Sequence, residues 1–472
     1  MKQPNILFIM SDDHASHAIS SYGSVINHTP NIDRIAEGGI RFDNCFCTNS
    51  ICAPSRATIL TGVYNHINGV KTLDDHLDGT MMNFPKLLQQ AGYETAIIGK
   101  WHLGHGGNSD PTGFHYWNVL PDQGDYFDPE FIEMGKTKRI NGYVTDIITA
   151  MSIDWIKKRD KNKPFMLMCH HKAPHRSWLP SPKYADLYKD ADIPEPPTFH
   201  DDYSTRAEAA RAARMRIGRD LLKKDVKGEP PQNSSPGQIK SWNYQRYIKD
   251  YLRCVASIDE SVGLLLDTLQ DEEIWNNTIV VYTSDQGFFL GDHGWFDKRF
   301  MYEESLRMPL LIQYPQEIKA GSVSRDMVLN VDFAATFLEA AGVAVPEEMQ
   351  GRSMRPVWSG HTPPDWRTSM YYRYWMHLDK EHSVYSHYGI RTHDYKLIYY
   401  YADALGTTGS LDERKPAEWE LFDLKKDPCE MNNVYGAAEY ASVIALLKQE
   451  LLALQLAVKD VPYETDEGER FA

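Results

Sequence analysis

Residues 52–62 combine the residue types that present a reactive side chain to an anion. Cys52 precedes Pro54, which suits the first turn of a helix; Arg56 follows one turn on, and Gly62 stands where a helix could end. A helix N-terminus attracts anions, and a guanidinium offers paired donors to a tetrahedral oxyanion. The alternative is a buried structural cysteine beside an ordinary helix cap, because cysteine is among the most buried residue types. The segment alone leaves both interpretations open.

Two predicted strands end in acidic side chains. The apolar run at residues 6–10 leads to Asp12 and Asp13, and the apolar run at residues 278–284 leads to Asp285. Such runs are typical of buried parallel strands, whose carboxyl ends carry the ligand-binding residues of α/β proteins. Adjacent carboxylates repel each other, so a bound cation is the natural way to neutralise them. A solvated Asp-Asp turn is the alternative.

Two further predicted strands end in basic and imidazole side chains. Residues 92–102 form an apolar strand that ends in Lys100 and His102, and residues 164–168 form a strand that precedes a histidine cluster at residues 169–175. The spacing in this cluster fits no zinc motif, so we expect one functional histidine among structural ones. The six cysteines include no CxxC pair, so neither a zinc knuckle nor a disulfide scaffold is indicated.

The chain of 472 residues is longer than one hydrophobic core usually serves, which predicts a large domain and a smaller one. Alternating strands and helices give way, after a proline-rich stretch at residues 346–364, to tyrosine-rich short strands and a leucine-rich last helix. We therefore expect a main domain at residues 1–362 and a C-terminal subdomain at residues 363–472. The proline-rich, charged residues 180–236 are expected to form a surface insertion with its arginines on a solvated helix face. The alternative is that these arginines help to hold an anionic substrate.

Charge and hydropathy restrict the partners. A formal net charge of -15 argues against a general binder of nucleic acid or anionic membrane. The apolar run at residues 6–10 is too short for a secretion signal and far too short to span a membrane. We expect no nucleic-acid partner and no membrane span. The chain is then either cytosolic or the mature form of an exported protein.

Residues 52–62 resemble the first signature of the type I sulfatases, in which the cysteine is oxidised to formylglycine, and residues 92–102 resemble the second signature of that family. The resemblance covers nearly the whole chain except residues 180–236. It implies an alkaline-phosphatase-like α/β sandwich with a mostly parallel central sheet and a smaller C-terminal α+β subdomain with an antiparallel sheet. Further matches follow in the family order: Asp12-Asp13, Pro174-His175, Asp285-Gln286-Gly287, Lys298 with Glu303, and residues 421–424 with Asp427-Pro428.

The resemblance also implies a metal site. Calcium, with magnesium as the alternative, would be bound by the modified Cys52 together with Asp12, Asp13, Asp285 and Gln286. These four side chains offer oxygen, which suits a hard cation, whereas a thiolate does not. This mismatch is an independent argument that Cys52 acts as something other than a thiol. Many relatives have asparagine where this chain has Gln286, so the glutamine is a departure from the family pattern.

The catalytic residues that the resemblance implies are Cys52, Arg56, Lys100, His102, His175 and Lys298. Hydrated formylglycine, polarised by the metal and Arg56, would attack sulfur to give a sulfated enzyme. His102 would then take a proton from the second hydroxyl, which expels sulfate. Lys100 would steady the formylglycine and a sulfate oxygen, while His175 and Lys298 would face the ester oxygen and protonate the leaving group.

Residues 285–299 and 387–392 look like those of bacterial N-acetylglucosamine-6-sulfatases that act on glycosaminoglycan or mucin sugars. The expected reaction is hydrolysis of a sulfate monoester on such a carbohydrate. The alternatives are a phosphonate or phosphate ester hydrolase of the same superfamily and a sulfated-glycan-binding protein that keeps Cys52 as a thiol. The expected partners are the sulfated carbohydrate and a formylglycine-generating maturation enzyme. The expected location is periplasmic or secreted, with the signal peptide removed, and a cytoplasmic location is the alternative.

Overall fold

A mixed ten-stranded sheet forms the centre of the protein, in a computed structural model that describes residues 3–463. The strands within these residues are, in chain order, β1 Asn5–Ser11, β2 Ile40–Phe42, β3 Cys45–Phe46, β4 Glu94–Lys100, β5 Tyr116–Leu120, β6 Glu130–Glu133, β7 Lys136–Arg139, β8 Phe165–His170, β9 Thr278–Ser284, β10 Phe289–Leu290, β11 Phe296–Asp297, β12 Leu310–Gln313, β13 Ser322–Ser324, β14 Val328–Leu329, β15 Ser369–Tyr374, β16 His387–Thr392, β17 Tyr395–Tyr400 and β18 Glu418–Asp423. The α-helices within these residues are α1 Pro30–Gly38, α2 Cys52–Thr61, α3 Asn65–Asn68, α4 Phe84–Gln90, α5 Val144–Lys158, α6 Glu208–Ala212, α7 Lys223–Val226, α8 Pro236–Asp271, α9 Glu303–Leu306, α10 Asp332–Ala340, α11 Arg355–Trp358 and α12 Ala441–Ala457.

The large sheet has the strand order β13-β2-β12-β9-β1-β8-β4-β5-β6-β7. The five central strands, from β9 to β5, run parallel, and antiparallel pairs flank them. Each of β1, β8 and β9 is buried along its whole length, as the continuous apolar runs predict for a parallel sheet covered on both faces. The mostly parallel central sheet expected from the sequence is confirmed.

Helices cover both faces of this sheet because the side chains of a strand alternate between them. Ile6 and Phe8 of β1 belong to one apolar cluster, which includes residues of α2, α4 and α10. Leu7 and Ile9 belong to a second cluster, which includes residues of α1, α5 and α8. The result is a three-layer α/β sandwich with two apolar layers.

A separate four-stranded antiparallel sheet, in the order β15-β16-β17-β18, lies in the C-terminal region and packs against α12. Its Tyr371 and Tyr388 belong to the same apolar cluster as Phe8 of the large sheet. The predicted boundary between residues 362 and 363 falls in the connection between α11 and β15. Because the apolar cluster is continuous across this connection, the division into two domains stays a prediction.

Residues 180–236 are mostly irregular and contain only short helical segments, among them α6 and α7. Ala209 and Ala210 are fully buried, and Arg206 is 5% exposed with its Nη2 3.0 Å from Asp201 Oδ2. The expectation that the arginines share a solvated helix face was therefore wrong for Arg206. A buried guanidinium needs a carboxylate partner, and Asp201 provides one.

Among the described residues, one helical segment, Ala438–Ala457, meets the length and composition of a membrane span, with a mean hydropathy of 1.2. Leu447 and Leu451 of this segment pack into the apolar cluster that covers the four-stranded sheet. A core helix of a soluble protein meets the same criterion, so the segment is weak evidence for a membrane span.

Candidate active site

The register of the parallel strands brings the predicted acidic and basic residues to one edge of the sheet. Met10 pairs with His170 and Ser11 pairs with Ser284, so Asp12 and Asp285 leave the sheet side by side. Gly99 pairs with the same His170, which places Lys100 at this edge as well. The predicted acidic and basic residues can form one site because the strands that carry them are neighbours in the sheet.

Cys52 is the first residue of α2 and is 1% exposed. The helix ends at Gly62, whose φ of 68° lies in the left-handed region that glycine adopts without strain. Arg56 is 2% exposed, and its Nε donates to Asp285 Oδ2 at 3.0 Å. Its Nη1 donates to the carbonyl oxygen of Lys100 at 2.8 Å. Arg56 therefore ties the start of α2 to the ends of β9 and β4.

The predicted metal ligands form a buried cluster of oxygen atoms. One carboxylate oxygen from each of Asp12, Asp13 and Asp285 lies within 4.8 Å of the others. The amide nitrogen of Gln286 donates to Asp13 Oδ1 at 2.5 Å, whereas its Oε1 has no hydrogen-bond partner among the described residues. Asp12 Oδ1 is likewise buried without a partner in this part of the chain. Oxygen donors that are left unpaired in this way fit a hard cation such as calcium.

Burial and mutual repulsion decide the charges of these carboxyls. Burial raises the pKa of Asp13 to about 7, with Asp12 and Asp285 adding to the shift and Lys298 opposing it. Burial and the charge of Asp12 raise the pKa of Asp285 to about 6, against the opposing charge of Arg56. Burial also opposes ionisation of Asp12, but nearby cations, Lys100 above all, outweigh it and hold its pKa well below the ordinary value. A bound cation would favour the ionised form of all three carboxyls.

Two lysines contact the acidic cluster directly. Lys100 is fully buried and donates from Nζ to Asp12 Oδ2, and Lys298 donates to Asp13 at 2.7 Å to Oδ1 and 2.8 Å to Oδ2. Burial raises the pKa of the Cys52 thiol, although the charges of Lys100 and Lys298 oppose that shift. A protonated thiol is a poor nucleophile and a poor ligand for a hard cation. The environment of Cys52 therefore suits an oxygen side chain better than a thiol.

The predicted histidines lie close to the cluster. His175 contributes a ligand atom within 4.8 Å of ligand atoms of Asp12 and Cys52, and its Nε2 lies 3.9 Å from Asp13 Oδ2. Burial, followed by the charge of Lys100, holds the pKa of both His175 and His102 well below the ordinary value. Both imidazoles are thus neutral at neutral pH in the absence of substrate.

Several other side chains near the predicted site residues do not lie in this cluster. His293 is fully buried and pairs with Asp201 at 3.1 Å, and His14 shares a hydrogen bond of 2.5 Å with the hydroxyl of Tyr282. Residues 387–392 form β16 of the antiparallel sheet. Glu303 belongs to a buried network of ion pairs with Arg307, Arg391 and Lys396. Glu303 and β16 thus contribute to the packing of the C-terminal region, whereas His14 bonds to β9 and His293 to Asp201.

The structure adds residues that no motif indicated. Gln123, in the loop after β5, accepts from Lys100 Nζ at 2.5 Å and lies 3.2 Å from His102 Nε2. Lys172 is 4% exposed and donates from Nζ to the carbonyl oxygen of Gln123 at 3.1 Å. A single glutamine in a turn-rich loop carries no sequence signal. Lys172, in contrast, lies within the histidine cluster at residues 169–175 and could have been named as a candidate from its position there.

A cavity of about 860 Å³ opens against His175, Gln123 and Lys172. Its far wall comes from loops of the C-terminal region, which contribute Asp379 and Leu411 among other residues. A cavity of this size accommodates a small sugar. Both parts of the chain therefore shape the space in front of the acidic cluster.

Comparisons with known proteins agree with this geometry. The family model for sulfatases matches residues 4–343, and the model for the C-terminal part of N-sulphoglucosamine sulphohydrolase matches residues 291–457. An N-acetylglucosamine-6-O-sulfatase of Bacteroides thetaiotaomicron is 47% identical over 97% of this chain and 87% of its own length.

Two solved structures show how far the similarity extends in space. A protein solved in complex with its substrate, D-glucosamine-2-N,6-O-disulfate, has a TM-score of 0.90 and 46% identity over 97% of this chain and 98% of its own. The phosphonate monoester hydrolase of Agrobacterium radiobacter has a TM-score of 0.76 and 20% identity over 99% of both chains, which shows a shared fold. The alkaline-phosphatase-like fold expected from the sequence is thereby confirmed. The chain belongs to the sulfatase family and is a sulfuric ester hydrolase.

Proposed function

We propose that the enzyme hydrolyses the 6-O-sulfate ester of N-acetylglucosamine or of a related glucosamine sugar from glycosaminoglycans or mucins. The observation that supports this most is the 47% identity, over nearly the whole chain, to an N-acetylglucosamine-6-O-sulfatase. The solved relative that binds D-glucosamine-2-N,6-O-disulfate as its substrate supports the same sugar class. The cavity in front of His175 offers the space for such a monosaccharide.

The residues that would hold the metal and the modified side chain follow from the geometry. Asp12, Asp13, Asp285 and Gln286 would bind calcium, or magnesium in its place, beside a formylglycine at position 52. When present, these groups would supply a polarised oxygen nucleophile. Unpaired oxygens at Asp12 Oδ1 and Gln286 Oε1 support this proposal.

Three cations would offset the negative charge of the sulfate ester. Arg56, Lys100 and Lys298 are each 3% exposed or less and surround the start of α2. Buried cations stabilise charge that develops on the sulfate oxygens more strongly than solvated ones, because the surrounding dielectric is low. Their carboxylate partners keep them positioned before the substrate binds.

His175 would supply the proton to the departing alcohol. Its Nδ1 lies 2.7 Å from the carbonyl oxygen of Arg176, which can only accept, so Nδ1 carries a hydrogen and Nε2 faces the acidic cluster. Donation to the leaving oxygen requires a second proton on Nε2. The negative charge of a bound sulfate ester favours that protonation, which compensates for the lowered pKa of the free imidazole.

The burial of Cys52 restricts when its proposed oxidation to formylglycine can take place. Cys52 is 1% exposed at the start of α2, so an enzyme that oxidises it needs access before the chain has folded.

We further propose a periplasmic or secreted location for the mature chain, with a cytoplasmic one as the alternative. Fractionation of native cells with an antibody to the chain distinguishes these locations.

The decisive experiment compares defined monosaccharides with one enzyme preparation whose Cys52 peptide has been checked by mass spectrometry. The substrates are the 6-sulfates of N-acetylglucosamine, N-sulfoglucosamine, N-acetylgalactosamine and galactose, together with an aryl sulfate and an aryl phosphonate. We expect the highest kcat/KM for a 6-sulfated glucosamine sugar and none for Cys52→Ala.

Other outcomes of this comparison contradict the proposal in different ways. Preference for a galactose sugar refutes the substrate. Preference for the phosphonate refutes the sulfatase activity in favour of the related hydrolase. Binding of sulfated sugars without turnover, by protein from the native host whose Cys52 is an intact thiol, supports the sulfated-glycan-binding alternative.

A further inference from the structure

The loop after β5, residues 121–126, connects two groups of active-site residues that lie far apart in the sequence. The side chain of Gln123 contacts Lys100 and His102 at the end of β4, at 2.5 Å and 3.2 Å respectively. The backbone of the same loop contacts the segment after β8 through Lys172 Nζ, 3.1 Å from the Gln123 carbonyl oxygen. No residue of this loop belongs to a family signature.

The chemistry of these contacts decides which way the Gln123 amide points. A lysine ammonium can only donate hydrogen bonds, so the atom that faces Lys100 must be the amide oxygen. The amide nitrogen then faces His102 Nε2, and an NH₂ group can only donate. His102 Nε2 must therefore accept, which leaves the hydrogen of the neutral imidazole on Nδ1. The imidazole is neutral because burial and the charge of Lys100 lower the pKa of His102 well below the ordinary value.

We propose that Gln123 is a positioning residue that holds Lys100 against Asp12 and fixes His102 as the tautomer with its hydrogen on Nδ1. His102 Nδ1 is buried and has no hydrogen-bond partner within residues 3–463. It is therefore the ring nitrogen left to donate to a sulfate oxygen or to the modified side chain of residue 52. In this tautomer Nδ1 cannot accept a proton, and the ring can take one only at Nε2, on the side of Gln123. The base role that the family resemblance implies for His102 therefore requires either that the hydroxyl reaches Nε2 or that the tautomer changes first.

The loop is held firmly enough to impose this geometry. Lys172 is 4% exposed, and its Nζ also lies 4.9 Å from the centre of the Tyr126 ring. The hydroxyl of Tyr126 donates to the carbonyl oxygen of His175 at 2.6 Å. These contacts hold the backbone of the loop in place, so that the Gln123 side chain starts from a fixed position beside Lys100 and His102. The same contacts link the positions of His102 and His175.

Two variants separate the two contacts of Gln123. Gln123→Leu removes both hydrogen bonds at nearly constant volume. Gln123→Glu keeps an acceptor for Lys100 but replaces the donor that faces His102 by a second acceptor, so the imidazole must place a hydrogen on Nε2. Asp122→Asn is the matched control, because Asp122 is the preceding residue of the loop and its side chain is 81% exposed. Thermal melting checks that each variant folds.

The first readout is independent of turnover. Proton-coupled nitrogen-15 spectra of histidine-labelled protein distinguish the two tautomers of a neutral imidazole, and a His102→Gln variant assigns the signal. We expect Nδ1–H in the unsubstituted protein and in Asp122→Asn, and a hydrogen on Nε2 in Gln123→Glu. A hydrogen on His102 Nε2 in the unsubstituted protein overturns the proposal. This arm also works in a Cys52→Ala background, which carries neither the modification nor activity.

The second readout rests on the proposed function, because it uses a 6-sulfated glucosamine sugar. We expect Gln123→Leu to lower kcat by about 10- to 100-fold while KM stays within about twofold, as for loss of a supporting hydrogen bond at a catalytic group. A raised KM with unchanged kcat would make Gln123 a substrate ligand and overturn its positioning role. If the unsubstituted enzyme turns over no such sugar, the proposed substrate fails, and the tautomer measurement still decides the role of Gln123.

Discussion

Calcium binding to the acidic cluster should release protons, because the metal-free site holds them. The pKa of Asp13 is about 7 and that of Asp285 about 6, both raised chiefly by burial. Below these values the carboxyls are protonated, and a cation must displace the protons before it binds. Affinity should therefore fall as the pH is lowered through 7 and then 6.

The size of the effect follows from the two pKa values. At pH 6 protonation of Asp13 weakens binding about tenfold and protonation of Asp285 about twofold, whereas at pH 8 both effects are close to absent. We expect affinity to be about twentyfold weaker at pH 6 than at pH 8. The ion should release about 1.4 protons at pH 6 and about 0.1 at pH 8.

Isothermal titration calorimetry measures both quantities when it is run at each pH in two buffers of different ionisation enthalpy. The protein is first stripped with a chelator, and its Cys52 state is checked by mass spectrometry. Asp13→Asn should bind calcium more weakly and should reduce the pH dependence to about the twofold effect of Asp285. An affinity that stays within twofold between pH 8 and pH 6, with no buffer dependence of the heat, would refute the argument from burial.

Three substitutions test other parts of the structure. Cys52→Ala should lower turnover by at least about 10⁴-fold while the circular dichroism spectrum and melting temperature stay unchanged; retained activity contradicts its role as the precursor of the nucleophile. His175→Ala should slow sugar sulfates by about 10²- to 10⁴-fold but aryl sulfates by less than about tenfold, because only a poor leaving group needs the proton; equal losses in kcat/KM argue against proton donation. Lys396→Met should destabilise the fold by about 3–5 kcal/mol in urea denaturation, since this fully buried ammonium pairs with two buried glutamates. Its control, Lys425→Met, removes a side chain that is 71% exposed and should cost less than about 1 kcal/mol, so equal effects contradict the burial argument.

The strand ends were predictable because a local pattern determines them. A continuous apolar run followed by polar residues describes β1 and β9 without any knowledge of their neighbours. Helix α2, which begins at Cys52 and is capped by Gly62, was predictable for the same reason, since its first-turn proline and the glycine after its last turn act locally. Residues 180–236 were harder, because the burial of Arg206 depends on Asp201 and on packing against distant parts of the chain.

The sequence by itself determined the family, the α/β architecture and the set of candidate side chains, because these depend on residue types, spacing and local periodicity. Only the tertiary structure decided what charge each side chain carries and which of them meet. The raised pKa of Asp13 and the lowered pKa of His102 arise from burial and from charges on other strands. Gln123 gains its place at Lys100 and His102 because the loop after β5 folds over the end of β4. Such contacts depend on distances in space, and sequence spacing does not encode them.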